Sequence, residues 1–331
     1  MTILSKRKVL VTGADGFIGS HLCERLVGEG ADVHAFCYYN ALGSLGWLDQ
    51  VCEKVRDALT IHLGDIRDRG FVDERVAGMD LVFHLAALIS IPHSYQAPSS
   101  YLDTNVGGTL NLLEAARRHG TPRVVHTSTS EVYGTPDQVP ITEGHPLKGQ
   151  SPYSASKIAA DKFCESYYCT YGVPVVILRP FNTYGPRQSV RAVIPTILLQ
   201  LLSGRREIEL GALAPRRDFT YVGDTVDGLI AAGVVDGLAG ETIHLGTGED
   251  ISIGDLFDLA CRVMGQEAVV AQREERMRPS ASEVMVLRSE PAKAFTKLQW
   301  RPKVSLEKGL EKTAHWLRHN RHHYRLDFLF Q

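Results

Sequence analysis

The chain has 331 residues, of which 44% are hydrophobic, with 36 basic and 38 acidic side chains. This length and apolar content can form one large α/β domain or two unequal ones. The near balance of charge excludes a protein that binds nucleic acid through a strong overall positive field. Glycines and an aspartate interrupt the first apolar run too early for a signal peptide or membrane span, and the six cysteines lack metal-binding spacing. We therefore expect a cytoplasmic protein with reduced thiols, no metal, no nucleic-acid partner and no membrane partner.

Six apolar runs predict buried parallel strands, and helical patterns separate most of them. In chain order the runs are KVLVTG, DVHAFC, TIHLGD, DLVFHLA, RVVHTST and PVVILRP. A helical pattern, GGTLNLLEAARRHG, ends in basic residues and Gly120, which predicts a glycine C-cap. This alternation predicts an α/β protein with a Rossmann-type, doubly wound parallel sheet, and we assign residues 1–180 to this dinucleotide-binding domain.

The pattern changes near Arg179, where residues 179–195 are rich in Pro, Gly, Asn and Arg. Such a composition favours a functional loop over a regular element. Later runs such as REIELG, RRDFTYV and ETIHLG, and the helical pattern VSLEKGLEKTAHWLRH, predict a smaller C-terminal substrate-binding lobe over residues 181–331. Some of these segments are expected to return to the large sheet, and the crevice between the two parts is the expected ligand site.

Three glycines, Gly13, Gly16 and Gly19, stand between the first predicted strand and a helix. Glycine there permits a tight turn, close approach to a pyrophosphate and close packing of helix on strand. The helix N-terminus adds N–H donors and a partial positive charge. A glycine triplet alone is weak, but its place after the first strand predicts dinucleotide binding.

The end of the second predicted strand lacks the acidic residue that usually holds the adenosine ribose. Cys37, Tyr38, Tyr39 and Asn40 stand there instead, with no adjacent basic residue for a 2′-phosphate. NAD is therefore favoured, and NADP is left open. Asp65, after the third strand, is interpreted either as a partner of the adenine amino group or as the N-cap of the next helix.

Tyr153 and Lys157 are four residues apart, which places them on one face of a predicted helix. A lysine cation close to a phenol lowers the pKa of the phenol and makes it a usable base for a hydroxyl proton. An exposed helical pair gives the same spacing by chance. The position after the fifth predicted strand, in a chain that opens with the glycine loop, favours the catalytic interpretation.

Taken together, the motifs resemble the NAD-dependent sugar epimerase/dehydratase family of extended short-chain dehydrogenase/reductases. The matching segments are the glycine loop, Asn105, GDIRD, HLAA, STSEVYG, YSASK, RPFNTYGPR and RRDFTYVGD. The resemblance implies that Tyr153 is the base, that Lys157 orients the tyrosine and the nicotinamide ribose, and that Thr129 bonds near the sugar C4 oxygen. It also implies a nucleotide-sugar substrate and a homodimer formed through the Tyr–Lys helix and the NLLEAARRHG helix.

The resemblance further implies two sets of ligand contacts. Cofactor contacts are expected from the glycine loop, the strand ends and the Tyr–Lys pair: Gly13, Gly16, Phe17, Ile18, Gly19, Asn40, Asp65, Ile66, Leu85, Ala86, Ala87, Asn105, Thr127, Tyr153, Lys157 and Pro180. Substrate contacts are expected from the loop after the sixth strand and from the C-terminal lobe: Asn182, Arg187, Arg191, Val193, Arg217 and Arg278.

Glu131 bears on which reaction follows the oxidation at C4 that the family shares. A 4-epimerase needs no further carboxylate, whereas a 4,6-dehydratase needs a base for C5–H and an acid for the departing 6-hydroxyl. Glu131 lies two residues after Thr129, so on a strand the two side chains share a face. Many glucose 4,6-dehydratases carry an Asp–Glu pair where this chain has Ser130 and Glu131. We therefore expect Glu131 to act first as base and then as acid in a catalytic set with Thr129, Ser130, Tyr153 and Lys157.

Three longer segments are similar to N-acetylglucosamine-nucleotide 4,6-dehydratases of the legionaminic-acid pathway type: YYNALGSLGWLD, YGPRQSVRAVIPTILLQLLSG and LGALAPRRDFTYVGDTVDG. This favours a 4,6-dehydratase that converts NDP-N-acetylglucosamine or NDP-glucose into a 4-keto-6-deoxy sugar. A UDP-glucuronate-type decarboxylase, in which Arg191 binds the carboxylate or donates a proton, and an NDP-hexose 4-epimerase are the alternatives. The nucleotide and the C2 substituent are left open.

Overall fold

The computed structural model describes residues 3–324. Its strands in chain order are β1 (Lys8–Thr12), β2 (Asp32–Tyr38), β3 (Leu59–Gly64), β4 (Leu81–His84), β5 (Val124–Thr127), β6 (Val175–Pro180), β7 (Asn182–Tyr184), β8 (Glu207–Leu210), β9 (Arg216–Arg217), β10 (Phe219–Tyr221), β11 (Thr242–Leu245), β12 (Ile251–Ser252), β13 (Val269–Gln272) and β14 (Val286–Leu287). The six predicted strands correspond to β1 to β6.

The helices in chain order are α1 (Phe17–Gly28), α2 (Glu53–Asp57), α3 (Arg69–Val76), α4 (Ile91–Gln96), α5 (Pro98–Tyr101), α6 (Gly108–His119), α7 (Pro152–Tyr171), α8 (Val193–Leu202), α9 (Val222–Val234), α10 (Ile253–Met264), α11 (Ala292–Leu298) and α12 (Leu306–Asn320). A π-helical segment, Leu102–Gly107, leads into α6, and a 3₁₀ turn, Ser130–Tyr133, follows β5. None of the helices in residues 3–324 is both long and apolar enough to cross a membrane.

Seven strands form the central sheet in the order β11–β6–β5–β4–β1–β2–β3, and every pair is parallel. Read from the other edge, the first six strands follow the 3-2-1-4-5-6 order of a dinucleotide-binding fold, which confirms the predicted fold class. The seventh strand, β11, comes from the C-terminal half and pairs with β6. A segment of that half therefore does return to the large sheet.

Apolar side chains cover both faces of this sheet, as continuous hydrophobic strands require. On one face, α1 and α9 pack through residues such as Leu22, Leu26 and Leu229. On the other face, α3, α6 and α7 pack through residues such as Leu112 and Cys164. With both faces covered, the exposed carboxyl ends of the strands are the place for a ligand.

The helix that carries Tyr153 and Lys157 begins with strong local signals. Ser151 is the N-cap of α7, its hydroxyl accepts from the backbone N–H of Ser154, and the Ser154 side chain completes the capping box. A proline at the first position suits the start of a helix because its missing N–H would be unpaired there. Gly120 ends α6 with a φ of 63°, which confirms the predicted glycine C-cap.

A second core forms the C-terminal lobe, built from α8, α10 and α12 with the parallel pair β8–β13. The segment 179–195, expected to be a loop, contains β7 and the start of α8 around an irregular stretch from 185 to 192. The six cysteines are free thiols, and Cys23, Cys37 and Cys164 are buried whereas Cys52 and Cys169 are exposed. Packed thiols thus describe only part of the set, and the cytoplasmic location stays a prediction.

Candidate active site

The turn between β1 and α1 is tight because its glycines leave no room for side chains. Gly13 has a φ of +69°, and a Cβ there would lie 2.9 Å from the backbone nitrogen of Ala86. A Cβ on Gly19 would meet the carbonyl of Gly13. A Cβ on Gly16 would meet only that same carbonyl, at 3.2 Å, and would otherwise point into open space. This open side is the cradle that a pyrophosphate would fill.

The first turn of α1 suits an anion. Gly16 is the N-cap and contributes no side-chain acceptor to the following N–H groups, and no acidic residue lies in the first turn. The amides of Phe17 and Ile18 therefore stand at the positive end of the helix dipole. Leu85 and Ala86 close the other side, where both amides donate to Thr12 Oγ1 at 3.1 Å. These residues fit a dinucleotide.

The end of β2 is organised by a polar loop and by Asp15 rather than by an acidic residue at the end of the strand itself. The Asn40 amide donates to the carbonyl of Ser44 at 2.7 Å, and its oxygen accepts from the amides of Leu42 and Ser44. The Asp15 carboxylate accepts from the amide of Tyr38 at 3.2 Å. Asn40 thus shapes the loop that would border the adenosine, and its direct contact with a cofactor stays a prediction.

Asp65 does not cap the helix that follows it. The N-cap of α3 is Asp68, whose side chain accepts from the amide of Phe71. Asp65 instead accepts from the amide and from Nε of Arg67, at 2.9 and 3.0 Å. This ion pair lowers the pKa of Asp65. The N-cap interpretation was wrong, because a better-placed aspartate lies three residues further along the chain.

The Tyr–Lys pair is buried at the carboxyl ends of β4 and β5. Tyr153 is 7% exposed and Lys157 3% exposed, and Lys157 Nζ donates to the carbonyl of Thr127 at 2.8 Å. The Thr129 side chain lies close enough to the Tyr153 hydroxyl to act on the pKa of the phenol, which it lowers. The expected closeness of Tyr153 and Thr129 is therefore present in the structure.

The expectation of a lowered pKa for the phenol was wrong. Burial raises the pKa of Tyr153, and the negative charge of Glu131 raises it further, while only the Thr129 hydrogen bond acts in the opposite direction among the strongest influences. Burial also lowers the pKa of Lys157, which the charge of Asp161 opposes. Desolvation is the largest influence on the pKa of both groups.

Glu131 lies near the phenol, but for a different reason than a shared strand face. The strand β5 ends at Thr127, and Thr129 is the N-cap of the 3₁₀ turn that follows. The amide of Glu131 donates to Thr129 Oγ1 at 3.2 Å. Within this turn Ser130 is buried while Glu131 is partly exposed. The turn therefore presents Thr129 and Glu131 to the crevice and turns Ser130 into the interior.

Two of the predicted substrate arginines meet at one carboxylate in the C-terminal lobe. Arg217, 6% exposed, donates to Glu283 Oε1 at 3.1 Å, and Arg278 Nη1 lies 3.6 Å from the same oxygen. Burial lowers the pKa of Arg217, and the charge of Glu131 is the strongest opposing influence. The charge of Glu131 thus acts on one residue of α7, Tyr153, and on one of the C-terminal lobe, Arg217.

The other two arginines point elsewhere. Arg187 is buried and donates to Glu24 at 2.7 Å and to Ser20 at 3.3 Å, both on α1, so it ties the C-terminal lobe to the dinucleotide-binding helix instead of joining Arg217 and Arg278. Arg191 is exposed. Burial raises the pKa of Tyr101, and the charge of Arg191 acts against this rise. Arg191 is therefore on the same side of the crevice as Tyr101.

The remaining predicted residues surround the same crevice. Asn105 is 1% exposed, its oxygen accepts from the amide of Leu88 at 2.8 Å, and its nitrogen donates to the carbonyl of Leu88 and to Ser156. It therefore fixes the loop after β4 against α7. The others lie at the ends of elements or in the loops beside them: Ile66 after β3, Ala87 after β4, Pro180 at the end of β6 and Val193 at the start of α8.

Three polar atoms near these strand ends are buried and have no hydrogen-bond partner within residues 3–324. They are Thr127 Oγ1, Ser128 Oγ and Asn182 Oδ1. Buried polar atoms are nearly always paired, so such atoms at one edge of a sheet are the ones a ligand would satisfy. Thr127 and Asn182 were predicted as contacts, whereas Ser128 was missed, although its place between Thr127 and Thr129 was a usable signal.

Sequence reasoning also missed Tyr101 and Glu283. The ring of Tyr101 packs edge-on against that of Tyr153 with centroids 6.2 Å apart, and its hydroxyl donates to the carbonyl of Ser90 at 2.6 Å. Glu283 is the shared partner of the two arginines. Its position near Arg278 in RMRPSASEV was a signal for Glu283, whereas nothing local marked Tyr101.

Comparison with known proteins places this geometry in a family. A family model described as GDP-mannose 4,6 dehydratase matches residues 10–313. A dTDP-glucose 4,6-dehydratase of Actinoplanes sp. is 34% identical over 323 residues, which cover 95% of this chain and 98% of the relative. A putative UDP-glucose 4-epimerase of Methanocaldococcus jannaschii is 31% identical over 320 residues, which cover 94% and 99%.

A solved structure gives the same result for the whole fold. The dTDP-glucose 4,6-dehydratase DesIV of Streptomyces venezuelae, solved as a double mutant with NAD bound, is similar with a TM-score of 0.84 and 32% identity, covering 96% of this chain and 98% of that one. Dehydratases and epimerases are thus both similar to this chain along nearly its whole length. The chain belongs to the NAD-dependent nucleotide-sugar epimerase/dehydratase family of extended short-chain dehydrogenase/reductases.

Proposed function

We propose that this enzyme is an NDP-sugar 4,6-dehydratase that uses NAD and acts on an NDP-linked glucose or N-acetylglucosamine. The observation that carries the proposal is the position of Glu131. Glu131 lies on the turn that Thr129 caps, and its charge acts on both the Tyr153 phenol and the buried Arg217 guanidinium, which supports a role for it at C5 and C6 of a sugar held at Tyr153. A 4-epimerase has no use for a carboxylate at this position.

The residues divide the reaction between them. Tyr153 takes the proton from the 4-hydroxyl, with Thr129 as its hydrogen-bond partner. When bound, NAD would accept the hydride from C4 and later return it to C6. Glu131 removes the C5 proton and delivers it to the 6-hydroxyl, which leaves as water. The proton taken at O4 balances the one restored at C5, so the sugar loses one water and no electrons overall.

The diphosphate of the substrate has two cations available in the C-terminal lobe. Arg217 and Arg278 both lie at Glu283 Oε1, and Arg217 also responds to the charge of Glu131. Charge-assisted hydrogen bonds from guanidinium groups are the usual means of holding phosphate oxygens. Asn182, with its buried side-chain oxygen unpaired within residues 3–324, lies ready for a hydroxyl or N–H donor of the sugar or nucleotide.

One observation favours a second candidate, a UDP-glucuronate-type decarboxylase. Arg191 is exposed, and its charge acts on Tyr101, whose ring packs on Tyr153. A guanidinium on that side of the crevice is suited to a carboxylate at C5 of the sugar. The alternative use of Arg191 is a contact with a phosphate of the same substrate.

Product analysis separates these functions. The purified protein is incubated with NAD and with UDP-, GDP- and dTDP-linked glucose, N-acetylglucosamine and glucuronate, and products are followed by proton NMR. A new C6 methyl doublet with a C4 ketone or its hydrate supports dehydration. Release of carbon dioxide from a uronate, or a clean C4 epimer, contradicts it.

A matched pair of variants tests the role of Glu131. Glu131→Gln should stop the methyl product while the absorbance of reduced nicotinamide still rises, because the first oxidation does not need this carboxylate. Glu165→Gln changes an exposed glutamate that pairs with Lys162 on the outside of α7 and should behave as the wild type. Normal product formation by Glu131→Gln would show that another group performs the elimination.

The proposed homodimer through α6 and α7 is supported by exposed aromatic side chains on α7. Phe163, Tyr168 and Tyr171 are 36%, 40% and 55% exposed. Exposed apolar side chains of this size on one helix are candidates for a protein–protein interface. Light scattering should give twice the mass of the chain, and Tyr168→Glu together with Tyr171→Glu should reduce it to that of one chain. An unchanged mass for this variant would place the interface elsewhere.

A further inference from the structure

A chain of buried polar groups beneath the candidate site joins the two elements that carry its reactive residues. Arg179, on β6, is 2% exposed, and its Nε and Nη2 donate to Asp161 at 3.0 and 2.9 Å. Asp161 is fully buried on α7, one turn after Lys157. The third guanidinium nitrogen, Nη1, donates to the hydroxyl of Tyr133 at 2.7 Å. Tyr133 lies on the 3₁₀ turn, two residues after Glu131.

The direction of each hydrogen bond follows from the chemistry of the groups. A guanidinium only donates, so the Tyr133 hydroxyl accepts from Arg179 and has one proton left to give. That proton goes to His244 Nε2, 2.5 Å away, and His244 is therefore neutral with its own proton on Nδ1. Burial lowers the pKa of His244 to about 3 and raises that of Tyr133 to about 12, which agrees with this arrangement.

Overall stability is a poor explanation for this network. A buried ion pair contributes little or nothing compared with well-packed apolar residues of the same volume. The three residues Asp161, Arg179 and Tyr133 are each at most 2% exposed and lie on three different elements, α7, β6 and the turn after β5. Hydrogen bonds with fixed geometry hold such elements at a defined distance, which apolar contacts do less specifically.

We propose that Arg179 and Tyr133 are positioning residues that fix the distance between α7, which carries Tyr153 and Lys157, and the turn that carries Glu131. Through them Glu131 reaches C5 of the sugar while Tyr153 holds O4. The inference rests on the proposed dehydratase function, because only there does Glu131 act after the oxidation at C4. Neither residue touches the substrate, and both act through the placement of Glu131.

The test is Tyr133→Phe, which removes one hydroxyl and leaves the Arg179–Asp161 pair in place. Displaced supporting groups lower activity by about 10- to 100-fold, so the methyl product should form more slowly by that factor. The first oxidation should keep its single-turnover rate, and KM should change less than about twofold, because uniform substrate binding is unaffected. Reduced nicotinamide should therefore accumulate during turnover, as expected for Glu131→Gln.

Tyr184→Phe is the matched control. Tyr184 is fully buried and its hydroxyl donates to a single carbonyl, that of Leu306 in the C-terminal lobe, at 3.2 Å. Loss of this hydroxyl should leave the ratio of accumulated reduced nicotinamide to methyl product as in the wild type. The positioning role is wrong if the two tyrosine variants give the same ratio of reduced nicotinamide to methyl product. It is also wrong if Tyr133→Phe slows oxidation and product formation to the same extent.

Two substitutions at His244 keep the inference testable should Tyr133→Phe fail to fold. His244→Gln retains an acceptor for the Tyr133 hydroxyl, so this variant should accumulate no more reduced nicotinamide than the wild type. His244→Leu removes the acceptor, so reduced nicotinamide should accumulate during turnover. Equal behaviour of these two variants contradicts the inference. A wild-type protein that makes no 4-keto-6-deoxy product overturns the dehydratase proposal and the inference together, whereas a wild-type dehydratase with unshifted variants overturns the inference alone.

Discussion

Replacing Asp161 by Asn should destabilise the fold far more than a surface substitution of the same kind. Asp161 is fully buried and accepts two hydrogen bonds from Arg179, which is itself 2% exposed. The substitution leaves the guanidinium charge without its counterion in the interior. Loss of one partner of a buried pair costs about 3–5 kcal/mol, because the remaining charge is desolvated and unpaired.

The chain supplies a control with similar ion-pair geometry but different burial. Lys162 and Glu165 pair at 2.7 Å with side chains 58% and 37% exposed, against 2.9 Å for the buried pair. Glu165→Gln should lower the free energy of unfolding by about 0–1 kcal/mol, because water already screens that pair. Burial alone then accounts for the expected difference between the two variants.

Equilibrium unfolding in urea, followed by circular dichroism at about pH 7.5, measures both free energies when the slopes agree between variants. If Asp161→Asn lowers the free energy of unfolding by less than about 1 kcal/mol, like the surface control, the Asp161 carboxylate does not stabilise the buried charge of Arg179 and the prediction is wrong.

Three further predictions concern stability, cofactor binding and substrate binding. Burial lowers the pKa of His126 and His244 from 6.5 to about 4 and about 3, so the unfolded chain binds more protons than the folded chain below pH 6.5. Unfolding in urea should therefore show a loss of about 2 kcal/mol of stability per histidine between about pH 7.5 and 5, and His244→Gln should remove its share of that loss, whereas an unchanged loss would contradict this. Gly16→Ala should weaken NAD binding, measured by calorimetry, by about tenfold or more, because the new Cβ would enter the open cradle. The free energy of unfolding should change little, and a large loss of stability would show that the cradle is not open. Arg217→Gln should raise KM for the nucleotide sugar about 10- to 100-fold, while an equal rise for a substrate analogue lacking the diphosphate would contradict a phosphate contact.

Much of the fold could be predicted because it depends on local patterns. The six apolar runs became the first six strands of the sheet, since strands covered on both faces need continuous hydrophobic sequence. The glycine loop and Gly120 could be recognised because a positive φ or a close backbone approach excludes most side chains. Tyr153 and Lys157 share a helix face because their spacing matches a helical turn.

The partners of individual side chains could not be predicted in the same way. Arg187 was expected at the substrate, yet it binds Glu24, more than 160 residues away in the chain. Asp65 was assigned two roles, of which the N-cap role was wrong and the adenine contact stays a prediction, and in the structure it pairs with Arg67. Glu131 was placed near Thr129 by strand alternation, although the strand had already ended and a capped turn brings them together. Each of these contacts depends on the residue at which an element ends or on a side chain that another element places nearby. The spacing of residues in the sequence gives neither.

The carboxylate of Glu131 has opposite effects on the two stages of the proposed reaction. Its negative charge raises the pKa of Tyr153 and so makes the phenolate needed for the first proton transfer harder to form. The same charge is what later removes the C5 proton. Arg217 lies close enough to respond to Glu131, so the carboxylate has a cationic neighbour in the C-terminal lobe. A second carboxylate at position 130 would add negative charge beside the phenol, whereas the buried Ser130 does not. A single carboxylate that acts first as base and then as acid therefore suits this site electrostatically as well as chemically.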